Sequence, residues 1–129
     1  MTTNKKQINV SIVIPCYNEA GGVTDSLNEV CKALRKHDDV EIITVNDGSS
    51  DKTPAILDKY ASQKPSVRVI HNQLNIGYGA SLKRGIREAE GDLIVITDSD
   101  GTYPASSIPE LLEVLKEYDM AVGARIGPN

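Results

Sequence analysis

The sequence predicts an α/β protein, a Rossmann-like α/β/α sandwich built on one parallel sheet. Three observations predict it. Short, mostly β-branched runs alternate with helical patterns along the 129 residues, the links between them are short, and no repeat or low-complexity stretch breaks the order. Continuous apolar runs suit strands buried on both faces, which is the situation inside a parallel sheet with helices on either side. Chains of about 100–150 residues are the usual size of a single core.

The elements follow in order. Residues 10–14 form the first strand. Val23, Leu27, Val30 and Leu34 then recur at i, i+4, i+7 and i+11, one face of a helix. Residues 40–45 are the second strand, and Thr53 before Pro54 reads as an N-cap and first helical residue. That helix carries Ile56, Leu57 and Tyr60. A third strand covers residues 67–70. The next helix has Leu82, Ile86 and Ala89 on its apolar face and stops at Gly91. Residues 93–96 are the fourth strand. Ser107 and Glu110 have capping-box spacing and open a helix bearing Leu111, Leu112 and Leu115. Residues 120–122 complete the pattern as a fifth strand. Residues 1–8 read as a flexible N-terminus, and residues 9–129 as one folded part.

Composition excludes several classes. Hydrophobic residues make up 40% and charged residues 25%, an ordinary globular balance. No apolar run approaches the about 20 residues that span a bilayer, and residues 1–7 lack the apolar segment of a secretory signal. Cys16 and Cys31 are not spaced as metal ligands and read as reduced packing residues of a cytoplasmic protein. A net charge of −4 argues against general nucleic-acid binding, and without Phe or Trp only the five tyrosines are left to stack on a base.

In parallel α/β sheets ligands bind beyond the carboxyl ends of the strands. Those ends carry the chemistry here. The first leads into Pro15, Cys16, Tyr17, Asn18 and Glu19, and the second into Asn46, Asp47, Gly48, Ser49, Ser50 and Asp51. The third leads into His71, then Asn75, Ile76, Gly77, Tyr78 and Gly79; the fourth leads into Asp98, Ser99, Asp100 and Gly101. The opposite rim reads as ordinary surface charge.

Asp98 and Asp100 are the sharpest pair. Residues two apart on a strand project to one side, so both carboxylates can converge on a hard cation such as Mg²⁺ or Mn²⁺ that bridges phosphate oxygens. The bland alternative is a loop cap. Asp47 can accept from the N–H of a base, or cap the turn through Gly48 and Ser49. Asp51 and Thr53 read as caps of the second helix. The two glycines at 77 and 79 let backbone approach a ligand ahead of a helix N-terminus, although the Gly-Lys-Ser/Thr ending of a P-loop is missing. Lys83, Arg84 and Arg87 read as a solvated face, with Arg84–Glu88 an i, i+4 pair, and His71 reads as structural. The first turn also lacks a Gly-x-Gly-x-x-Gly dinucleotide fingerprint.

Taken together, the loops match one family. Ser11-Ile-Val-Ile-Pro-Cys-Tyr-Asn-Glu19, Val45-Asn-Asp-Gly-Ser-Ser-Asp-Lys-Thr53, Asn75-Ile-Gly-Tyr-Gly-Ala80, Gly85, Gly91-Asp92 and Asp98-Ser-Asp100 resemble the family 2 glycosyltransferases of GT-A fold. Asp98-Ser-Asp-Gly-Thr-Tyr-Pro104 with Val122-Gly-Ala-Arg125 is similar to the polyprenyl-phosphate branch. The resemblance covers residues 9–126. It implies metal-dependent, inverting sugar transfer from a UDP- or GDP-sugar to a polyprenyl phosphate or glycan acceptor. Pro15, Tyr17, Glu19, Gly77, Gly79, Lys83, Asp98 and Ser99 would border the nucleotide, and Asp47 would bind its base. Asp98 and Asp100 would hold the metal, and Arg125 would approach the phosphates.

The chain departs from the family pattern at Asn46, where the family usually has the first Asp of an Asp-Asp pair, and in its length. It is expected to hold the donor-nucleotide half of a domain, with little turnover alone and any membrane anchor elsewhere in the full protein. Exposed apolar surface would favour self-association into a homo-oligomer. The reading from a different class is a non-catalytic nucleotide-sugar-binding module, which would keep the Asp47 pocket without needing metal.

Overall fold

The computed structural model describes residues 7–101 and 104–124. The order is β1 (Val10–Cys16), α1 (Val23–Ala33), β2 (Val40–Asp47), α2 (Thr53–Gln63), β3 (Val67–Asn72), α3 (Tyr78–Glu88), β4 (Leu93–Ile96) and α4 (Ile108–Val114). The strands form one parallel sheet in the order β3-β2-β1-β4. The chain therefore steps outward from β1 to β3, then returns to lay β4 on the other side of β1. That reversal leaves a crevice between the ends of β1 and β4, the place where such sheets hold ligands.

Side-chain alternation sorts the core into two layers. Ile12, Ile14 and Cys16 of β1 join Val23, Leu27 and Val30 of α1, Leu57 and Tyr60 of α2, and Ile108 and Leu112 of α4. Val13 faces the other way with Ile43 and Val45, covered by Leu82 and Ala89. Truncating a fully buried leucine such as Leu27 or Leu57 to Ala would cost about 2–5 kcal/mol.

The thinner layer corrects the expected helix face. α3 buries Ser81 and Gly85, whereas Ile86 is 37% exposed. A Cβ on Gly85 would stand 2.5 Å from Val13 Cγ1 and 3.1 Å from Val45 Cγ2. The helix thus approaches the sheet through its small residues, which hydrophobic spacing does not register.

The expected fifth strand is absent. Residues 120–122 have no strand structure, and Met120 and Val122 are exposed. Apolar content does not make a strand without a neighbour to accept its backbone hydrogen bonds, and among the described residues this stretch pairs with none. Burial on both faces holds for β1 and β2; β3 and β4 are edges, with Ile94 and Ile96 of β4 exposed. Ser107 occupies the N-cap position of α4 but makes no side-chain cap. The preceding 3-10 turn Ala105–Ser107 already holds it in helical conformation, not the extended one that a capping residue takes. At α2 the N-cap position is Lys52, and the first helical amide, of Thr53, is met from one residue earlier by Asp51 Oδ1 at 2.8 Å. Thr53 itself is the first helical residue.

The rim opposite the ligand side is also more than surface charge. Glu41 is buried there, accepting from the Ser11 hydroxyl at 2.6 Å, the Glu90 amide at 2.6 Å and the Arg68 guanidinium at 2.9 Å. Ser11 Oγ in turn accepts from the Gly91 amide at 2.8 Å. A Cβ on Gly91 would lie 2.8 Å from Ser11 N, so this glycine serves a close approach to β1, while α3 ends at Glu88. Among the described residues no helix is long and apolar enough to cross a membrane.

Candidate functional site

A cleft of about 360 Å³ opens at the switch point, lined by the ends of β1, β2 and β4 and by the loop before α3. Pro15, Tyr17, Glu19, Asp47, Gly77, Asp98, Ser99 and Asp100 all line it. Four loops far apart in sequence converge on this one place.

Asp47 organises one side. Although its residue is almost fully buried, its carboxylate accepts from the Ile76 amide at 2.8 Å, the Gly77 amide at 3.0 Å and Asn72 Nδ2 at 3.1 Å. Burial alone would raise its pKa. The hydrogen bonds from Ile76, Asn72, Gly77 and Ser81 outweigh that effect and hold the carboxyl below the usual Asp range. The turn after β2 is capped by its neighbour instead, since Asn46 Oδ1 accepts from the Ser49 amide at 3.1 Å. Gly48 follows with φ +66°, and a Cβ there would lie 2.3 Å from Asn75 N. Asp47 and Gly48 therefore make a seat into which residues 74–77 dock.

Asn18 locks the other side. It has φ 50°, a left-handed conformation that Asn tolerates better than most residues. Its Oδ1 accepts from the Ser50 amide at 2.8 Å and the Asp51 amide at 3.3 Å. The Asn18 amide donates to Ser49 Oγ at 3.0 Å, and the Glu19 amide to Thr53 Oγ1 at 2.9 Å. These bonds zip the β1–α1 loop to the β2–α2 loop and fix Glu19 at the cleft.

The acidic pair lies beyond β4, which ends at Ile96, so Asp98 and Asp100 meet through a bend and not through strand alternation. Ser26 of α1 anchors the bend by donating to the Ser99 carbonyl at 2.6 Å. The Tyr78 hydroxyl donates to Asp98 Oδ1 at 3.3 Å. Glu19 looks onto the same space. Its carboxyl is pushed up by partial burial first, then by the negative charges of Asp100, Asp51 and Asp98. This oxygen-only acidic donor set suits a hard divalent cation. Among the described residues no three His, Cys, Asp or Glu side chains are grouped to hold a metal by themselves. A cation here would complete its shell with phosphate oxygens and water, as Mg²⁺ commonly does. Cys16 forms part of the floor, and burial pushes its thiol up to about 12, which keeps it protonated and inert.

Lys83 and Gly79 are not brought to the cleft, and Lys83 is exposed. Arg84 is tied to the His71 carbonyl at 3.1 Å and Asn72 Oδ1 at 2.5 Å, while Glu88 pairs with Arg68, so the expected Arg84–Glu88 pair does not form. His71 lies in a chain of its own. Asn46 Nδ2 donates to its Nδ1 at 3.0 Å, because the Asn46 oxygen is committed to Ser49, and His71 Nε2 donates to Asp58 at 2.8 Å. Asn46 thus faces His71 and not the cleft. Arg125 lies outside the described residues. The cleft adds Asn75 and Tyr78, which the sequence placed in a rim loop without a role of their own; a tyrosine directly after Gly77 at a helix start was the available signal.

The chain is similar to known proteins in sequence and in fold. The sequence is 35% identical over 117 residues to a dolichol-phosphate mannosyltransferase of Pyrococcus furiosus, covering 90% of this chain and 33% of that protein. It is 37% identical over 117 residues to an undecaprenyl-phosphate 4-deoxy-4-formamido-L-arabinose transferase of Edwardsiella ictaluri, covering 86% of this chain and 35% of the relative. The chain thus spans about a third of the length of these curated relatives. Among solved structures, the mannosyltransferase PcManGT of Pyrobaculum calidifontis, in complex with GDP-Man and Mn²⁺, superposes with a TM-score of 0.70 at 27% identity. That match covers 78% of this chain and 30% of the other. S. aureus TarS in complex with UDP-GlcNAc gives a TM-score of 0.70 at 24% identity over 95% of this chain and 37% of its own, which speaks for the fold alone. The profile of the glycosyl transferase family 2 domain matches residues 11–129, and with the parallel sheet and its switch-point cleft this places the chain in glycosyl transferase family 2.

Proposed function

We propose that this chain forms the donor-nucleotide part of an enzyme that transfers a sugar from a UDP- or GDP-sugar to a polyprenyl phosphate or related glycan acceptor. The observation that carries the reading is the convergence of Asp47, Glu19, Asp98 and Asp100 on one cleft at the sheet's switch point. Family membership supports it, as do relatives named for dolichol-phosphate and undecaprenyl-phosphate substrates. The GDP-Man and Mn²⁺ held by PcManGT support a nucleotide-sugar donor and a divalent cation.

The residues then have separable tasks. Asp47, with acceptor capacity left on Oδ2, meets the donor base while holding the loop beside it. Pro15 and Tyr17 border the nucleotide, Glu19 lies near its ribose, and Cys16 beneath them keeps the floor dry. Asp98 and Asp100 hold Mg²⁺ or Mn²⁺, which when bound supplies positive charge to offset the leaving diphosphate. Arg125 approaches the donor or acceptor phosphates, as the family resemblance implies. In-line attack by the acceptor on the anomeric carbon inverts its configuration. A lipid-linked acceptor would place the full protein at a membrane surface, and the outward Ile94 and Ile96 of β4 support self-association of this chain, which light scattering would read.

Calorimetric titration of UDP, GDP, CDP and ADP, with and without Mn²⁺, tests the reading on this chain and on Asp100→Ala. Metal-dependent binding of one nucleotide, lost in the variant, is expected. Binding that ignores both metal and variant would overturn metal-dependent transfer in favour of a non-catalytic nucleotide-sugar-binding module.

A further inference from the structure

Residues 75–78 do more than border the cleft. β2 and β4 are not neighbours, because β1 lies between them. Yet the loop ahead of α3 reaches both. At one end the Ile76 and Gly77 amides sit on Asp47 at the end of β2, and at the other the Tyr78 hydroxyl donates to Asp98 Oδ1 beyond β4. The loop is therefore a strap across the carboxyl end of β1, fixed at both feet.

Its conformation is strongly determined. Gly77 has φ 98°, which favours glycine, and Gly48 admits the Leu74–Asn75 backbone where no side chain would fit. Tyr78 begins α3, a helix packed closely on β1 and β2 through Gly85. Its hydroxyl is thus carried by a helix seated on the sheet. Asp98, by contrast, sits in a bend outside regular structure, anchored through its neighbour Ser99.

We propose that Tyr78 is a positioning residue: its hydroxyl orients the Asp98 carboxylate toward the cleft and, through the strap, couples the Asp47 side of the site to the acidic pair that receives the metal. A carboxylate on a bend has free rotation to lose on taking a cation, and a hydrogen bond from a fixed tyrosine removes part of that freedom beforehand. The proposal rests on the nucleotide-sugar reading above.

The test is Tyr78→Phe, which keeps the ring and removes only the donor. Tyr78 is 55% exposed, so the variant should fold, and its circular dichroism and melting curve check this. Calorimetry of the selected nucleotide is run with and without Mn²⁺ on the parent chain, Tyr78→Phe, Asp98→Asn and the double variant. The expected result is an affinity loss of about 3–10-fold in Mn²⁺, little change without metal, and no further loss when Tyr78→Phe is added to Asp98→Asn. If the parent binds in a metal-dependent way and Tyr78→Phe binds equally well or more tightly, the positioning role is overturned while the donor-site reading stands. An equal loss with and without metal, or additive losses in the double variant, also overturns it, since the ring's place in the wall would then be the cause. If the parent binds no nucleotide, the donor-site reading fails and this one falls with it.

Discussion

Asp47 accepts the Gly77 amide at 3.0 Å, so a side chain at the end of β2 sets the backbone of a loop that follows β3. With Ile76 and Asn72 on its other oxygen, it faces donors on both sides. Asp47→Asn must therefore point an NH₂ at a backbone N–H. The expected cost is about 1–3 kcal/mol in chemical denaturation, with weakened nucleotide binding. Because the folded-state pKa is held down, this contribution is present above the usual Asp range and lost as pH falls through the depressed folded value. The gap between parent and variant should shrink on acidification, and a gap independent of pH would count against the carboxylate's role.

Gly48→Ala tests the same seat sterically. Its φ of +66° and the 2.3 Å approach to Asn75 N leave no room for a methyl group. A destabilisation of about 2–4 kcal/mol is expected. Gly21→Ala is the matched control, since nothing lies within 4 Å of its Cβ position, and it should stay within about 0.5 kcal/mol of the parent.

Glu19 reports on the cation. Burial and the charges of Asp100, Asp51 and Asp98 raise its carboxyl, so a divalent ion between those groups should bring it down. Carbon-13 NMR titration of the Glu19 carboxyl with and without Mg²⁺ reads this directly. An unchanged midpoint under saturating Mg²⁺ would remove the ion from this cleft. With a raised folded value, Glu19 lowers stability above that value, so Glu19→Gln should stabilise the metal-free chain at neutral pH.

Glu41 carries a prediction far from the site. Its burial alone would raise its pKa, but the Ser11 hydroxyl, the Glu90 amide and Arg68 together hold it below the usual Glu range. Glu41→Gln sets an NH₂ against these donors and should cost about 2–4 kcal/mol at neutral pH, discounted for the half-exposed Arg68. The folded value is depressed, so the loss should fade as pH falls below the usual Glu range and through the lowered folded value. Thermal melts of both chains across that range decide it.

Local pattern carried the reading of this fold a long way. The apolar runs that became β1 and β2 and the polar loops beyond them were legible because burial and turn chemistry are written in adjacent residues. Pairing is not. Residues 120–122 have strand composition but, among the described residues, no neighbouring strand, and nothing near them in sequence says so. The same holds inside the site. Asp47 was recognisable as a strand-end carboxylate, while its grip on Ile76 and Gly77 depends on two loops meeting in space. Tyr78 was named with its loop but given no role of its own, and Lys83 entered the site only through the family resemblance, while its exposure agrees with the solvated face read from the residues.

The strand order carries a consequence for how the chain assembles. β1, β2 and β3 are joined by successive single-helix crossovers, so each pairing closes a loop of modest length. β4 must instead come back past the whole β2–α3 segment before Val10 can meet Leu93. Loop closure over that distance carries the larger entropic cost, which puts β4 late in folding. Asp98 and Asp100 trail that strand, so the acidic pair arrives only after the Asp47 seat is built. During synthesis from the N-terminus, the protein would hold the Asp47 side of the cleft before it owned the acidic pair that faces it.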